Sequence, residues 1–153
     1  METIAERQAW MRTLARAELA ALEGCVARLK DLPAYGFLRA PEIGLAMVRG
    51  RVGGGGDAFN LGEMTITRCV VQLQTVKEQQ PEVAGFGYVG GRSPRHAELA
   101  ALCDALLQDE QWSYRVFKEV IEPLQRSFQQ IVEQQQRQTA ATQVEFFTML
   151  RGE

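Results

Sequence analysis

The connections in the middle of this chain are too short for a parallel sheet. Stretches rich in aromatic, branched and glycine residues run from Tyr35 to Arg39, Leu45 to Val52, Met64 to Leu73 and Ala84 to Gly90. A parallel crossover needs roughly a dozen residues or more, usually as a helix. The segments between these stretches are Ala40-Pro41-Glu42-Ile43-Gly44, the glycine run Gly53-Gly54-Gly55-Gly56-Asp57 and the polar Val76 to Glu82, and they carry turn chemistry instead of helical periodicity. Neighbouring strands should therefore be antiparallel, with the first two expected to form a hairpin turning at 40–44.

Helical patterns flank this region. Trp10 and Leu14 lie on a run of good helix formers ending near Arg16, and Leu19, Leu22, Cys25, Val26 and Leu29 recur at spacings of three and four until Asp31-Leu32-Pro33 stops them. Ser93-Pro94 reads as an N-cap with proline at the first helical position, and Leu99, Leu102, Cys103, Leu106 and Leu107 then mark an amphipathic helix to about Gln108. A further helix through Trp112, Phe117, Val120 and Ile121 meets Glu122-Pro123, which either kinks it or splits it in two, and resumes through Leu124, Phe128, Ile131 and Val132. Residues 144–150, aromatic and strand-favouring, are assigned to a strand, with a helix left open. The expected fold is α+β: one domain over residues 1–153, an antiparallel sheet of about four or five strands with N-terminal and C-terminal helices beside it.

Composition then narrows the function. Lys plus Arg number 17 against 19 Asp plus Glu, a net charge of -2, which lacks the basic footprint of a nucleic-acid or membrane-surface binder. The polar start Met1-Glu2-Thr3-Ile4-Ala5-Glu6-Arg7-Gln8 is not a secretory signal, and no apolar run reaches the roughly 18 residues of a membrane span. A cytoplasmic protein with no membrane insertion is expected. Cys25, Cys69 and Cys103 are widely spaced and odd in number, so reduced buried thiols are expected instead of a disulfide frame or zinc site.

Positive charge is concentrated locally. Alternation puts Leu45, Met47, Arg49 and Arg51 on one face of their strand, and places Arg68 beside Met64, Ile66 and Val70, where a guanidinium needs a carboxylate, phosphate or carbonyl partner. The glycine run lacks the Lys-Ser/Thr ending of a phosphate loop and reads as a tight hairpin turn. The densest constellation is Gly90-Gly91-Arg92-Ser93-Pro94-Arg95-His96-Ala97-Glu98, two arginines and the one histidine at a strand-to-helix junction, where free N–H groups add positive potential. Arg51, Arg68, Arg92 and His96 are thus the candidates for anion binding or subunit contact. The competing readings are an internal carboxylate pair for the arginines and an inward-facing structural role for His96. Glu98 and Asp104 read as helix-surface or salt-bridge groups. No catalytic triad or metal-ligand spacing is present, so no residue is assigned as catalytic and no metal is expected.

These residues resemble the PhnG subunit family of the bacterial carbon-phosphorus lyase system. The resemblance rests on Gly44-Leu45 through Arg51-Val52-Gly53-Gly54, on Thr67-Arg68, on Gly85-Phe86-Gly87-Tyr88-Val89-x-Gly91-Arg92 with His96-Ala97-Glu98 leading to Cys103-Asp104-Ala105-Leu106, and on Phe146-Phe147-Thr148-Met149-Leu150-Arg151-Gly152. Arg49, Ser93-Pro94 and the loop from Lys77 to Glu82 depart from the family pattern. The resemblance implies assembly with PhnH, PhnI and PhnJ, with PhnK and PhnL as ATP-binding partners. It also implies a role in displacing adenine from ATP by methylphosphonate, a transferase step of alpha-D-ribose 1-methylphosphonate 5-triphosphate synthase. PhnI would carry the nucleosidase step and PhnJ the later radical cleavage. This chain would be inactive alone and bind no cofactor, with ATP a substrate of the complex, and the isolated chain could be a monomer or a homodimer. The alternative is a small phosphate- or nucleotide-handling enzyme working alone through the four candidate residues.

Overall fold

Three strands, Tyr35–Arg51 (β1), Ala58–Leu73 (β2) and Ala84–Gly90 (β3), form an antiparallel sheet in the order β1-β2-β3 in the computed structural model, which describes residues 4–74 and 82–142. The helices are Ile4–Arg16 (α1), Leu19–Val26 (α2), Pro94–Leu107 (α3), Ser113–Val116 (α4) and Glu122–Ala141 (α5).

The α+β class and the antiparallel order hold, but the expected four or five strands reduce to three among the described residues. The stretches 35–39 and 45–52 are not two strands of a hairpin: β1 runs straight through Pro41. Among the described residues only β2 pairs with β1, so a residue whose N–H faces the other edge can be proline without loss of a ladder bond. The register shifts between Phe37 and Arg39 and again between Arg39 and Glu42, bulges that absorb the irregularity. The hairpin turn lies instead at the glycine run, as expected for it, where Gly53 and Gly54 take φ of 58° and 81°, conformations that cost a residue with a Cβ. The anticipated strand at 144–150 and most of the Lys77 to Glu82 loop lie outside the described residues.

β3 pairs with the inner part of β2, from Ile66 to Gln72, so among the described residues the rest of β1 and β2 forms a two-stranded ribbon. On the inner sheet the buried residues alternate: Thr67, Cys69, Val71 and Leu73 on β2 face the same side as Gly85, Gly87 and Val89 on β3. α3 lies against that side. It is not amphipathic as its leucine spacing implied, since its residues from Leu99 to Leu107 are all buried, and α1, α2 and α4 contact it away from the sheet. A helical stretch covered on every side is apolar nearly all round, and its one charged residue, Asp104, has to find partners inside the fold. Gly85 and Gly87 permit the contact with the sheet: a Cβ on Gly87 would lie 2.0 Å from the Ala97 carbonyl oxygen.

Past α3, the helical run reads α4, then one π-helical turn at Phe117–Ile121, then α5 beginning at Glu122-Pro123. The run is therefore not split in two at Pro123, the wider turn accommodating the proline that cannot donate to the ladder. Core residues from Trp10 to Leu124 form one buried cluster.

Candidate functional site

The strand-to-helix junction is organised by Thr67. Its hydroxyl donates to the Gly91 carbonyl oxygen at 2.6 Å and accepts from the Ser93 N–H at 3.0 Å, while the Gly91 N–H reaches the Thr65 carbonyl oxygen at 2.8 Å. Ser93 is the N-cap residue of α3, as its place before Pro94 implied, but its side chain makes no capping bond; its backbone N–H is tied to β2 instead. Pro94 does occupy the start of the helix.

His96 lies just inside this junction, 8% exposed, with Nε2 2.7 Å from the Leu14 carbonyl oxygen. A carbonyl only accepts, so Nε2 carries the hydrogen and the ring ties the end of α1 to the start of α3. Arg95 and Glu98 belong to an ion-pair chain: Arg95 donates to Glu98 at 2.9 Å and approaches Glu23 at 3.7 Å, and the Tyr35 hydroxyl donates to Glu98 at 2.7 Å. Burial and the adjacent Glu98 push the Tyr35 hydroxyl's pKa up.

The four candidate residues do not converge. Arg68 donates to Glu42 on the neighbouring strand, the carboxylate partner its apolar surroundings called for. Arg51 sits beside the hairpin turn and donates to the Gly56 carbonyl oxygen at 3.3 Å. Arg92 is exposed at the junction and, like Arg49 on the ribbon, has no hydrogen bond or ion pair with any described residue.

The most heavily engaged polar group was read only as a surface or salt-bridge residue. The Asp104 side chain is fully buried and accepts from Arg7 Nη2 at 2.7 Å, Arg7 Nε at 3.2 Å, Trp10 Nε1 at 2.9 Å, the Phe86 N–H at 2.9 Å and Gln108 Nε2 at 3.3 Å. The salt-bridge half of that reading holds, but the position is interior. The signal was present: an acidic residue in the run Leu102-Cys103-Asp104-Ala105-Leu106 has apolar neighbours on both sides. A second feature missed from sequence is a groove of about 300 Å³ between α1 and α5, rimmed by Arg12 and Arg16, with Leu124 and Phe128 below and the Arg16 guanidinium 5.9 Å from the Phe128 ring centre. Only the packing of α5 across α1 creates it.

All three cysteines are buried and free, as expected. Burial, with a smaller contribution from Glu98, pushes the Cys69 thiol up to about 11; burial, then Cys25 and Asp104, push Cys103 up to about 12. Their ordinary value is 9.0, so the stability they contribute is whole below that pH and is lost as pH rises through about 11 and about 12. Alkylation of the folded protein at about pH 8 should leave both thiols untouched by peptide mass spectrometry, and the same treatment in denaturant should label both. Labelling of either in the folded state would contradict this assignment.

Among the described residues, no group of three or more His, Cys, Asp or Glu is placed to hold a metal ion, and no helix is long and apolar enough to cross a membrane. The family model described as phosphonate metabolism protein PhnG matches residues 5–152. A curated protein of Rhizobium meliloti (strain 1021), named alpha-D-ribose 1-methylphosphonate 5-triphosphate synthase subunit PhnG, is 41% identical over 151 residues, covering 98% of this chain and 92% of that one.

Proposed function

The chain belongs to the PhnG family of phosphonate metabolism proteins, and on that premise we propose that it is a subunit of an alpha-D-ribose 1-methylphosphonate 5-triphosphate synthase in organic phosphonate breakdown. The observation that carries this reading is the 41% identity sustained over 151 residues with a protein of that name. The complex takes ATP and methylphosphonate. A phosphonate oxygen bonds to the ribose C1′, the C1′–N9 bond breaks, and adenine leaves with that electron pair and a proton.

In this reading the chain is an accessory subunit working in the cytoplasm. PhnH, PhnI and PhnJ are its partners in the core, PhnK and PhnL the attached ATP-binding proteins, and PhnI carries the nucleosidase step. The internal chemistry of the fold favours that division. Asp104, His96, Arg68 and Glu98 are committed to side-chain or backbone partners within the chain. A nucleophile, a base and a free arginine do not come together among the described residues. Arg92, and Arg51 beside the hairpin turn, are then contacts to partner subunits or to a substrate they hold.

The purified chain mixed with ATP and methylphosphonate should release no adenine, measured by chromatography. Co-expression with the other core subunits should yield a complex that does, and omission of this chain should abolish the activity. Adenine release by the isolated chain would overturn the accessory role in favour of an enzyme acting alone.

A further inference from the structure

The ribbon formed by the outer parts of β1 and β2 is apolar where no other described residue covers it. Pairing of Ile43 with Thr67, Leu45 with Thr65 and Met47 with Glu63 places these three β1 residues on the side of the sheet that α3 covers farther in. They lie beyond the start of the helix and are 50%, 63% and 50% exposed. A two-stranded ribbon is at best marginally stable in water by itself, and a sheet face of this kind is stable when another element buries it. The edge of β1 is a poor alternative contact, because Pro41 and two register shifts break up its row of donors and acceptors.

We infer that this face, Ile43, Leu45 and Met47 with Arg49 and Arg51 toward the hairpin turn, receives an amphipathic helix of another synthase subunit, apolar on its buried side and acidic at its flank. Charge complementarity and the layering of the fold carry the choice. The register shifts between Val48 and Arg49, but the extra residue there lies on β2, so alternation along β1 still carries the stripe on to Arg49 and Arg51, and Arg92 stands at the junction beside its inner end. Arg49 and Arg92 have no partner among the described residues. The positive end of α3 faces the same region, which further favours acidic groups there. The stripe spans four residue steps, roughly 13 Å at about 3.4 Å per residue, which two to three helical turns would cover. Such a helix extends the layer α3 begins.

The inference rests on the subunit reading, and the experiment separates the two. The natural chain and the double variant Leu45→Thr with Met47→Thr, which keeps strand-favouring residues, are each co-expressed with the other core subunits and purified through a tag on one of those. The natural chain should co-purify, and the variant should be depleted by about tenfold or more while melting at the same temperature alone. Equal recovery of both chains overturns the inference and leaves the subunit reading standing. Failure of the natural chain to co-purify removes both. A dimer of the isolated natural chain that the double variant splits, seen by light scattering, would show a second copy on this face and overturn the inference. So would protection of residues 43–47 from hydrogen exchange that disappears when residues 143–153 are deleted, since the chain's own end would then be the occupant. If the double variant melts early, Arg49→Glu tests the same face, with depletion supporting the inference and unchanged recovery opposing it.

Discussion

Replacing Asp104 by alanine should destabilise the protein by about 3 kcal/mol, roughly 6 to 12 °C in melting temperature for a chain of this size. The carboxylate has no exposure and accepts hydrogen bonds from the Trp10 indole and the Phe86 N–H. Without it the buried Trp10 indole N–H loses its acceptor, at about 1 to 3 kcal/mol, and the part-buried Phe86 N–H loses one at the lower end of that range. Arg7 contributes less, because its side chain is 34% exposed and can turn toward water. Asp104→Asn keeps one acceptor oxygen and should cost about half as much. Thermal denaturation followed by circular dichroism measures both, and an alanine variant melting within a degree or two of the natural protein would show that the donors find other partners. The group joins three elements, α1 through Arg7 and Trp10, β3 through Phe86, and α3 on which it sits. Its loss should therefore loosen the helix layer and the sheet together.

A second large effect, shared with Gly85, the other glycine of the pair, is expected at Gly87. An added Cβ would meet the Ala97 carbonyl oxygen at 2.0 Å and the Ala101 nitrogen at 2.9 Å, both backbone atoms of α3 that cannot rotate aside. Relief requires β3 to move off the helix by an ångström or so, opening the buried layer made by Cys69, Val71 and Val89. Gly87→Ala should cost on the order of 3 kcal/mol or more, at or beyond the upper end for overpacked cores. Soluble yield would fall with it. Gly24→Ala is the matched control: it lies in the exposed side of α2 with nothing within 4 Å of the new methyl group. That substitution should raise stability by roughly 0.5 to 1 kcal/mol, as alanine does over glycine in a helix interior. Equal behaviour of the two variants in a denaturant titration would mean that helix and strand separate easily, and would sink the account of the glycine pair.

The two predictions show how differently sequence and structure share the explanation. Helical periodicity located α1, α2 and α3, because a 3.6-residue repeat of apolar positions is a property of neighbouring residues alone. The same reasoning called α3 amphipathic, since the spacing of its leucines says nothing about whether a second layer covers the alanines between them. β1 was divided at Ala40 to Gly44 because proline and glycine ordinarily end strands. Whether a proline interrupts a strand depends on which side has a neighbour, and that is settled by where β2 and β3 lie. Arg68 was correctly said to need a partner in apolar surroundings, but Glu42 could be named only from the register that sets the two opposite each other.

The candidate site divides along the same line. His96 was open between an anion contact and an inward structural role, and its geometry fits the second, because the Leu14 carbonyl comes to it from 82 residues away in sequence. The junction's glycines and arginines were legible as a cluster, being contiguous in the chain. That Thr67 fastens it from the sheet was not, and neither was the apolar ribbon beyond it.

What the sequence determined by itself were the α+β class, the antiparallel order, the glycine turn and, through blocks spread along its length, membership of the PhnG family. Each is written in local spacing or in residue identity. The tertiary structure alone decided which charges are spent inside the protein and which apolar residues remain uncovered. Burial and pairing depend on what packs from elsewhere in the chain, so Asp104 became a buried anchor while Ile43, Leu45 and Met47, strand residues of ordinary pattern, were left facing outward.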